Sequence, residues 1–219
     1  MLEGVAFFDF DGTMIKGDSI VPFLWYGYKK KFVPVKQLFS AAWAFTLYFL
    51  KRLSAAEAKE RGLLFLQGKT KEEMAAHAEA FYAEVLKKRL FKDALDSLSA
   101  CRQKGLKVII VSASPDVYMQ AVKEQLGVFA VIATRCALDA NDIYLGCLAS
   151  DNCKGFEKPL RIAEYMASAG LNVDFESSAG FGDSFSDVPM LELTGQPTIV
   201  NGKKRTISKT PHMAHVKWK

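Results

Sequence analysis

Two aspartates separated by one residue, in Asp9-Phe10-Asp11-Gly12-Thr13, are the strongest chemical signal in the sequence. In an extended chain residues i and i+2 project to the same side, so both carboxylates can face one small site. Like charges that close are costly unless a cation lies between them or one takes a proton. Both solutions suit phosphoryl transfer: one carboxylate, kept ionised beside a divalent metal, attacks phosphorus, and the other protonates the leaving alcohol. An Asp-Gly turn after a strand would give the same letters with no chemistry, so the motif needs company.

Company comes from three further places. Gly182-Asp183-Ser-Phe-Ser-Asp187 places two more carboxylates behind an apolar strand, and an oxygen-rich site is what magnesium requires. Asp183 is the candidate direct ligand. Asp187, four residues on, either binds the metal too or holds Asp183 or Lys158 from behind. Ser112, in Val111-Ser-Ala-Ser-Pro-Asp116, stands where a hydroxyl and the backbone N–H of Ala113 can hold a phosphate oxygen near a helix start. Ser114 reads as the cap of a helix whose first residue is Pro115. Lys158, just before Pro159 at another helix start, is the cation positioned to neutralise phosphate and carboxylates; Lys154 is the runner-up.

Strands must deliver these groups. Val5-Ala-Phe-Phe8 is apolar throughout and stops at Asp9; Lys107–Val111 ends in Ser112, and Ser178–Phe181 ends in Gly182 and Asp183. Uninterrupted apolar runs of this length read as strands buried on both faces of a parallel sheet, and such sheets bind ligands at their carboxyl ends. Helices fit between them, at Leu90–Lys104 before Gly105 and Asp116–Leu126 before Gly127, each stopped by glycine. Val128–Ala133 reads as a further strand, Ile143–Leu148 as half of a hairpin, and Thr198–Val200 as the last strand of the sheet. From Asp18 to about Leu86 the period is helical, with a capping box at Ser54-Ala-Ala-Glu57 and a second start at Thr70. The expected organisation is an α/β core of residues 1–17 and 87–219, with a helical cap, 18–86, inserted after the first strand.

Composition narrows the function classes. With 219 residues, half of them hydrophobic, the chain can bury an ordinary core plus a lobe. A net charge of +5 suits an anionic substrate or surface, but no basic stripe with interleaved aromatics points to nucleic acid. Four cysteines, Cys101, Cys136, Cys147 and Cys153, lack metal-ligand spacing and read as reduced thiols. The N-terminus has no basic start followed by an apolar run, so a cytoplasmic location is expected.

In order and spacing, D-x-D-G-T at Asp9–Thr13, a strand-end serine at Ser112, a lysine at Lys158 and GD-x-x-x-D at Gly182–Asp187 resemble the four motifs of the haloacid dehalogenase-like hydrolase superfamily. The insert's position resembles the branch that includes phosphoserine phosphatase, and Val-Ser-Ala-Ser at 111–114 with Gly-Asp-Ser-x-Ser-Asp-x-Pro-Met-Leu at 182–191 looks closest to its phosphoserine-phosphatase-like subfamily IB. The resemblance implies a Rossmann-like three-layer core with a parallel sheet. It implies an aspartyl-phosphate route in which Asp9 attacks phosphorus and Asp11 acts as acid and then base. Mg²⁺ would be held by Asp9, Asp183 and the Asp11 main-chain carbonyl. Phosphoserine phosphatases usually carry a glutamate soon after the first motif and an arginine in the cap, which read the amino acid; Asp18 stands near the former place and Arg61 matches the latter. Their second motif usually has glycines after the serine, where this chain has Ala113 and Ser114.

The expected activity is therefore Mg²⁺-dependent hydrolysis of a phosphate monoester, with a small soluble ester such as phosphoserine as the first substrate class. A silent binding protein on the same fold is disfavoured, because every charged motif residue is present. The apolar stretch Leu38–Leu50 is shorter than the ~20 residues that span a bilayer. Burial between helices is the favoured reading of it. The alternative is contact with an anionic membrane surface through its aromatics and flanking lysines; resemblance to the bacterial phosphatidylglycerophosphate phosphatases of this branch then implies a lipid phosphate as substrate.

Overall fold

All four residues of the first strand, β1 (Val5–Phe8), are buried. Val5 and Phe7 enter one hydrophobic cluster with Ile109, Val111 and Ile199, while Ala6 and Phe8 enter another with Val108 and Ile110. Period-two burial on both faces makes the sheet the middle of three layers, which is why its strands show no polar alternation. The structure, a computed structural model, describes residues 2–219.

Four helices follow β1: α1 (Ile20–Lys29), α2 (Val35–Phe49), α3 (Ala55–Leu63) and α4 (Lys71–Phe81). Next come α5 (Lys92–Gln103), β2 (Lys107–Pro115), α6 (Asp116–Leu126) and β3 (Ala130–Thr134), then an antiparallel hairpin of β4 (Cys136–Leu138) and β5 (Tyr144–Leu148). The chain closes with α7 (Glu157–Ala169), β6 (Ala179–Gly182), α8 (Val188–Leu191), β7 (Gln196–Val200), α9 (Lys204–Lys209) and β8 (Ala214–Val216). Six strands form a parallel sheet in the order β3-β2-β1-β6-β7-β8. Helices α7 and α8 bury Ile162, Met166 and Met190 on one face; α5 and α6 bury Leu98 and Tyr118 on the other. The strands expected to deliver chemistry lie side by side at the centre, with β1 between β2 and β6.

Two expectations need correction here. Thr198–Val200 is not the last strand, because β8 pairs in parallel beyond it. Three exposed residues are too few to show a period; what anchors the tail is Trp218, whose ring lies 5.6 Å from Phe181 and 6.4 Å from Phe8. Burial of Leu38–Leu50 holds for one face only: Leu38 and Phe45 pack partly buried against the core, while Phe39, Trp43, Phe49 and Leu50 are exposed. Only Gln37, Ala41 and Ala44 of α2 are buried. Small residues make the contact, as a Cβ on Gly62 of α3 would lie 4.0 Å from that of Ala41, and close packing through alanine turns the large aromatics outward.

The helical lobe shares its core with the sheet. Phe23 packs 5.0 Å from Phe81 and 4.8 Å from Tyr118 of α6, and all three rings belong to the cluster that contains Phe8. Local signals hold at the helix starts: Ser54 and Glu57 form a reciprocal capping box, and Thr70 accepts from the Glu73 N–H. Among the described residues no helix is long and apolar enough to cross a membrane.

Candidate active site

The site lies where β1, β2 and β6 end. Asp9 extends β1, its N–H bonded to the Phe181 carbonyl of β6 at 2.9 Å. The chain then turns tightly: Gly12 takes φ +84 and donates to the carbonyls of Ile15 and Gly17. Only glycine fits there, because φ is left-handed and a Cβ would come within 2.5 Å of Asp183 Oδ2. The turn thus brings the first motif against the last.

Lys158 is the hub. It is buried in the first turn of α7, and its Nζ donates to Asp9 Oδ1 at 2.6 Å, Asp187 Oδ1 at 2.7 Å and the Val111 carbonyl at 2.8 Å. Burial works to lower its pKa, but the Asp187 and Asp9 charges outweigh it and raise it. Thr13 Oγ1 donates to the other Asp9 oxygen at 2.9 Å. Burial first, then the Asp187 charge, pushes Asp9 up to about 6, with Lys158 and Thr13 pulling it down. Asp187 moves the opposite way: burial would raise it, but Lys158 and the Ser184 donors hold it below the usual carboxylate range.

Asp11 sits in a different environment. Ser114 Oγ donates to its Oδ2 at 2.5 Å, and Ser19 joins Ser114 and Tyr118 at 2.8 Å each. Its Oδ1 is buried without a hydrogen-bond partner among the described residues. Burial and the Asp18 charge push Asp11 up to about 7, against the Ser114 hydrogen bond. Ser114 is therefore not the helix cap expected of it: Pro115 is extended, at ψ 141, and α6 begins one residue later, which leaves the Ser114 hydroxyl free for Asp11.

Ser112 is buried, and its Oγ accepts from the Ser114 N–H at 3.0 Å, so the hydroxyl hydrogen remains to be given to a ligand. Its neighbour Ala113 uses its carbonyl to accept from Lys59 Nζ and from Thr134 Oγ1. A cavity of about 140 Å³ opens beside them. Asp11, Asp18, Lys59, Ser114 and Lys154 line it, with Ile20, Phe45 and Tyr48 as an apolar wall. A larger cavity of about 860 Å³ lies apart, between α4, α6, α7 and β3. It touches neither Asp9 nor Asp183 nor Lys158, so size alone misplaces the chemistry.

Asp18 is exposed on the rim of the small cavity, its Oδ1 accepting from the Ile20 N–H at 2.8 Å. Arg61 is not brought there. It is exposed on α3, with its carbonyl bonded to Gln37. Two residues along a helix rotate a side chain by about 200°, so Arg61 and Lys59 occupy opposite faces, and Lys59 is the buried one. Burial lowers Lys59 to about 8, with Asp11 and Asp18 opposing; Asn152 Oδ1 also accepts from it. Sequence reasoning missed Lys59, although counting from the Ser54 cap aligns it with Ala55, Gly62 and Leu63 on the inner face.

The donor set fits a hard divalent cation. Asp9, Asp183 and Asp187 each present an oxygen within 4.8 Å of the others, while one buried lysine faces them. Burial, then the Asp9 and Asp187 charges, pushes Asp183 up to about 7, the mark of an anion short of positive charge. Both Asp187 oxygens are already engaged, one by Lys158 and one by Ser184. Both Asp9 oxygens are engaged as well, by Lys158 and Thr13; Asp9, Asp183 and Asp187 are the residues that could hold the cation, and Asp187 also orients Lys158.

A family model described as haloacid dehalogenase-like hydrolase matches residues 6–192. The protein CicA of Caulobacter vibrioides is 31% identical over 191 residues, 86% of this chain and 82% of that one. A Bordetella pertussis structure of unknown function superposes with TM-score 0.86 at 23% identity, over 99% of both chains. A phosphoserine phosphatase captured as a phospho-aspartyl intermediate analogue has TM-score 0.64 at 16% identity, over 99% of this chain and 93% of that one.

Proposed function

We propose, from the premise that the chain belongs to the haloacid dehalogenase-like hydrolases, that it is a phosphatase which hydrolyses a phosphate monoester in two steps through phosphorylated Asp9. The observation that carries this is the division of labour between neighbouring carboxyls. Asp9, raised to about 6, has a lysine and a threonine holding its charge; Asp11 is pushed higher, to about 7, and has a buried oxygen without a partner among the described residues. One is suited to attack as an anion, the other to carry a proton.

In the first step an Asp9 oxygen bonds to phosphorus and the ester P–O bond breaks. The departing alkoxide takes the Asp11 proton and leaves as the alcohol. In the second step Asp11, now ionised, removes a proton from water as its oxygen bonds to phosphorus. The Asp9–phosphorus bond breaks, inorganic phosphate leaves, and both carboxyls return to their starting states. Ser112 and the Ala113 N–H hold a phosphate oxygen, while Lys158 opposes charge on Asp9 and the phosphoryl group. Magnesium is the cofactor we assign to the cluster: Asp9, Asp183 and the Asp11 carbonyl would hold it, and when bound it supplies positive charge beside the transferred phosphoryl group.

We assign a small polar ester as substrate, its alcohol portion in the 140 Å³ cavity between Asp18, Lys59 and Lys154. With Arg61 turned outward, phosphoserine would be read by Lys59 and Lys154, with Asp18 beside them, instead. A second reading, a lipid phosphate, has the apolar wall of Ile20, Phe45 and Tyr48 in its favour. The test is a screen of phosphorylated metabolites and lipid phosphates with Mg²⁺, run beside Asp9→Asn. That variant keeps the shape of the nucleophile, so it should fold, lose turnover and form no phosphoenzyme; substantial remaining activity refutes the assignment.

A further inference from the structure

Between Asp18 and Glu57 the chain carries six basic residues, Lys29, Lys30, Lys31, Lys36, Lys51 and Arg52, and no acidic one. The same stretch holds α1 and α2, whose outward faces are apolar. On α2, Phe39 and Trp43 are 72% and 61% exposed and Phe49 is 79% exposed; on α1, Trp25 is 52% exposed. Val35, Phe39 and Trp43 recur every four residues and share one face, as do Val21 and Trp25. Monomeric proteins rarely leave so large a run of aromatics in water without a use for it.

From this face we infer that α1 and α2 dock the enzyme onto an anionic lipid surface. Aromatic rings among lysines are the composition of an interfacial helix, with rings seated at the headgroup boundary and amines on the phosphates. Lys29 already lies 5.5 Å above the Trp25 ring. The 15 residues of α2 make about 22 Å of helix, less than the hydrocarbon thickness, so the helix lies in the surface instead of crossing it. A second copy of the chain is a poor occupant, because the face would meet its own positive charge. The face also adjoins the active site: α2 gives Phe45 and Tyr48 to the wall of the small cavity, so docking brings that cavity towards the surface.

Flotation of the full chain with vesicles of phosphatidylcholine, alone or mixed with phosphatidylglycerol, tests this. Binding is expected to the anionic vesicles, to weaken as salt screens the lysines, and to fall roughly fivefold for each charge removed in Lys36→Gln and Lys51→Gln. Phe39→Ser combined with Trp43→Ser should reduce it at least about tenfold with an unchanged urea midpoint, since both side chains face solvent. Failure to float with anionic vesicles overturns the proposal and gives the face to an acidic protein partner. Equal flotation of the double variant overturns it too, as does a wild-type dimer that the double variant dissociates. A docked enzyme can hydrolyse either class of ester, so flotation and the substrate screen fail separately.

Discussion

Replacing Lys158 by methionine leaves two buried carboxylates facing each other without a cation. Lys158 is 1% exposed and donates three hydrogen bonds, two of them to the anions of Asp9 and Asp187. Removing one partner of a buried ion pair costs about 3–5 kcal/mol, a large share of a total folding stability of about 5–15 kcal/mol. The loss should depend on pH in a definite direction. In the native chain the raised pKa of Lys158 contributes stability that is present below its unfolded value and lost as pH rises through the folded one. The depressed pKa of Asp187 contributes stability present above its unfolded value and lost as pH falls through the folded one. Both contributions are whole between about pH 4 and pH 10. In Lys158→Met the orphaned carboxyls rise in pKa and relieve their repulsion by taking protons, so the gap to wild type should shrink as pH falls from about 8 to about 5. Urea denaturation without divalent metal, followed by circular dichroism, measures both values. The double variant Lys158→Met/Asp187→Asn should recover part of the loss, because it removes one orphaned charge. A gap under about 1 kcal/mol at about pH 8, or one that widens on acidification, refutes this account of the site.

The same electrostatics bears on turnover. After burial, Asp18 is the largest influence raising Asp11 to about 7, so Asp18→Asn should lower that pKa and move the alkaline limb of kcat to lower pH; an unmoved limb dissociates it from Asp11. Lys59→Met should destabilise the chain by about 1.5–3 kcal/mol, because the Ala113 carbonyl and Asn152 lose a charged donor, whereas Arg61→Ala on the exposed face should stay within about 0.5 kcal/mol. Equal effects in urea melts would contradict the assigned helix faces. Chelation of divalent metal should stop turnover, and calcium should restore it poorly because its larger, looser shell misplaces phosphorus; equal rates with both ions count against coordination by Asp9 and Asp183.

What could be read in the chain alone was whatever rests on local pattern. Apolar runs ending in Asp9, Ser112 and Asp183 place three strand ends together, because a parallel sheet gathers the carboxyl ends of its strands at one edge. Caps at Ser54 and Thr70 depend on residues three apart, so they too are visible in sequence. Tertiary structure decided the rest. The partner of Ser114 lies 103 residues away at Asp11, and no local rule chooses between capping a helix and holding that carboxyl. Lys59 and Arg61 are alike in charge and two positions apart; the face of α3 that packs inward makes one a buried donor and leaves the other in water. Trp218 anchors the sixth strand through Phe8 and Phe181, a contact between the two ends of the chain. On α2, apolar residues on nearly every side could not reveal which face is buried. Ala41, 4.0 Å from where a Cβ on Gly62 would lie, lets the helix approach α3 closely, and that choice of a small side chain for the contact is what put Phe39, Trp43 and Phe49 outside.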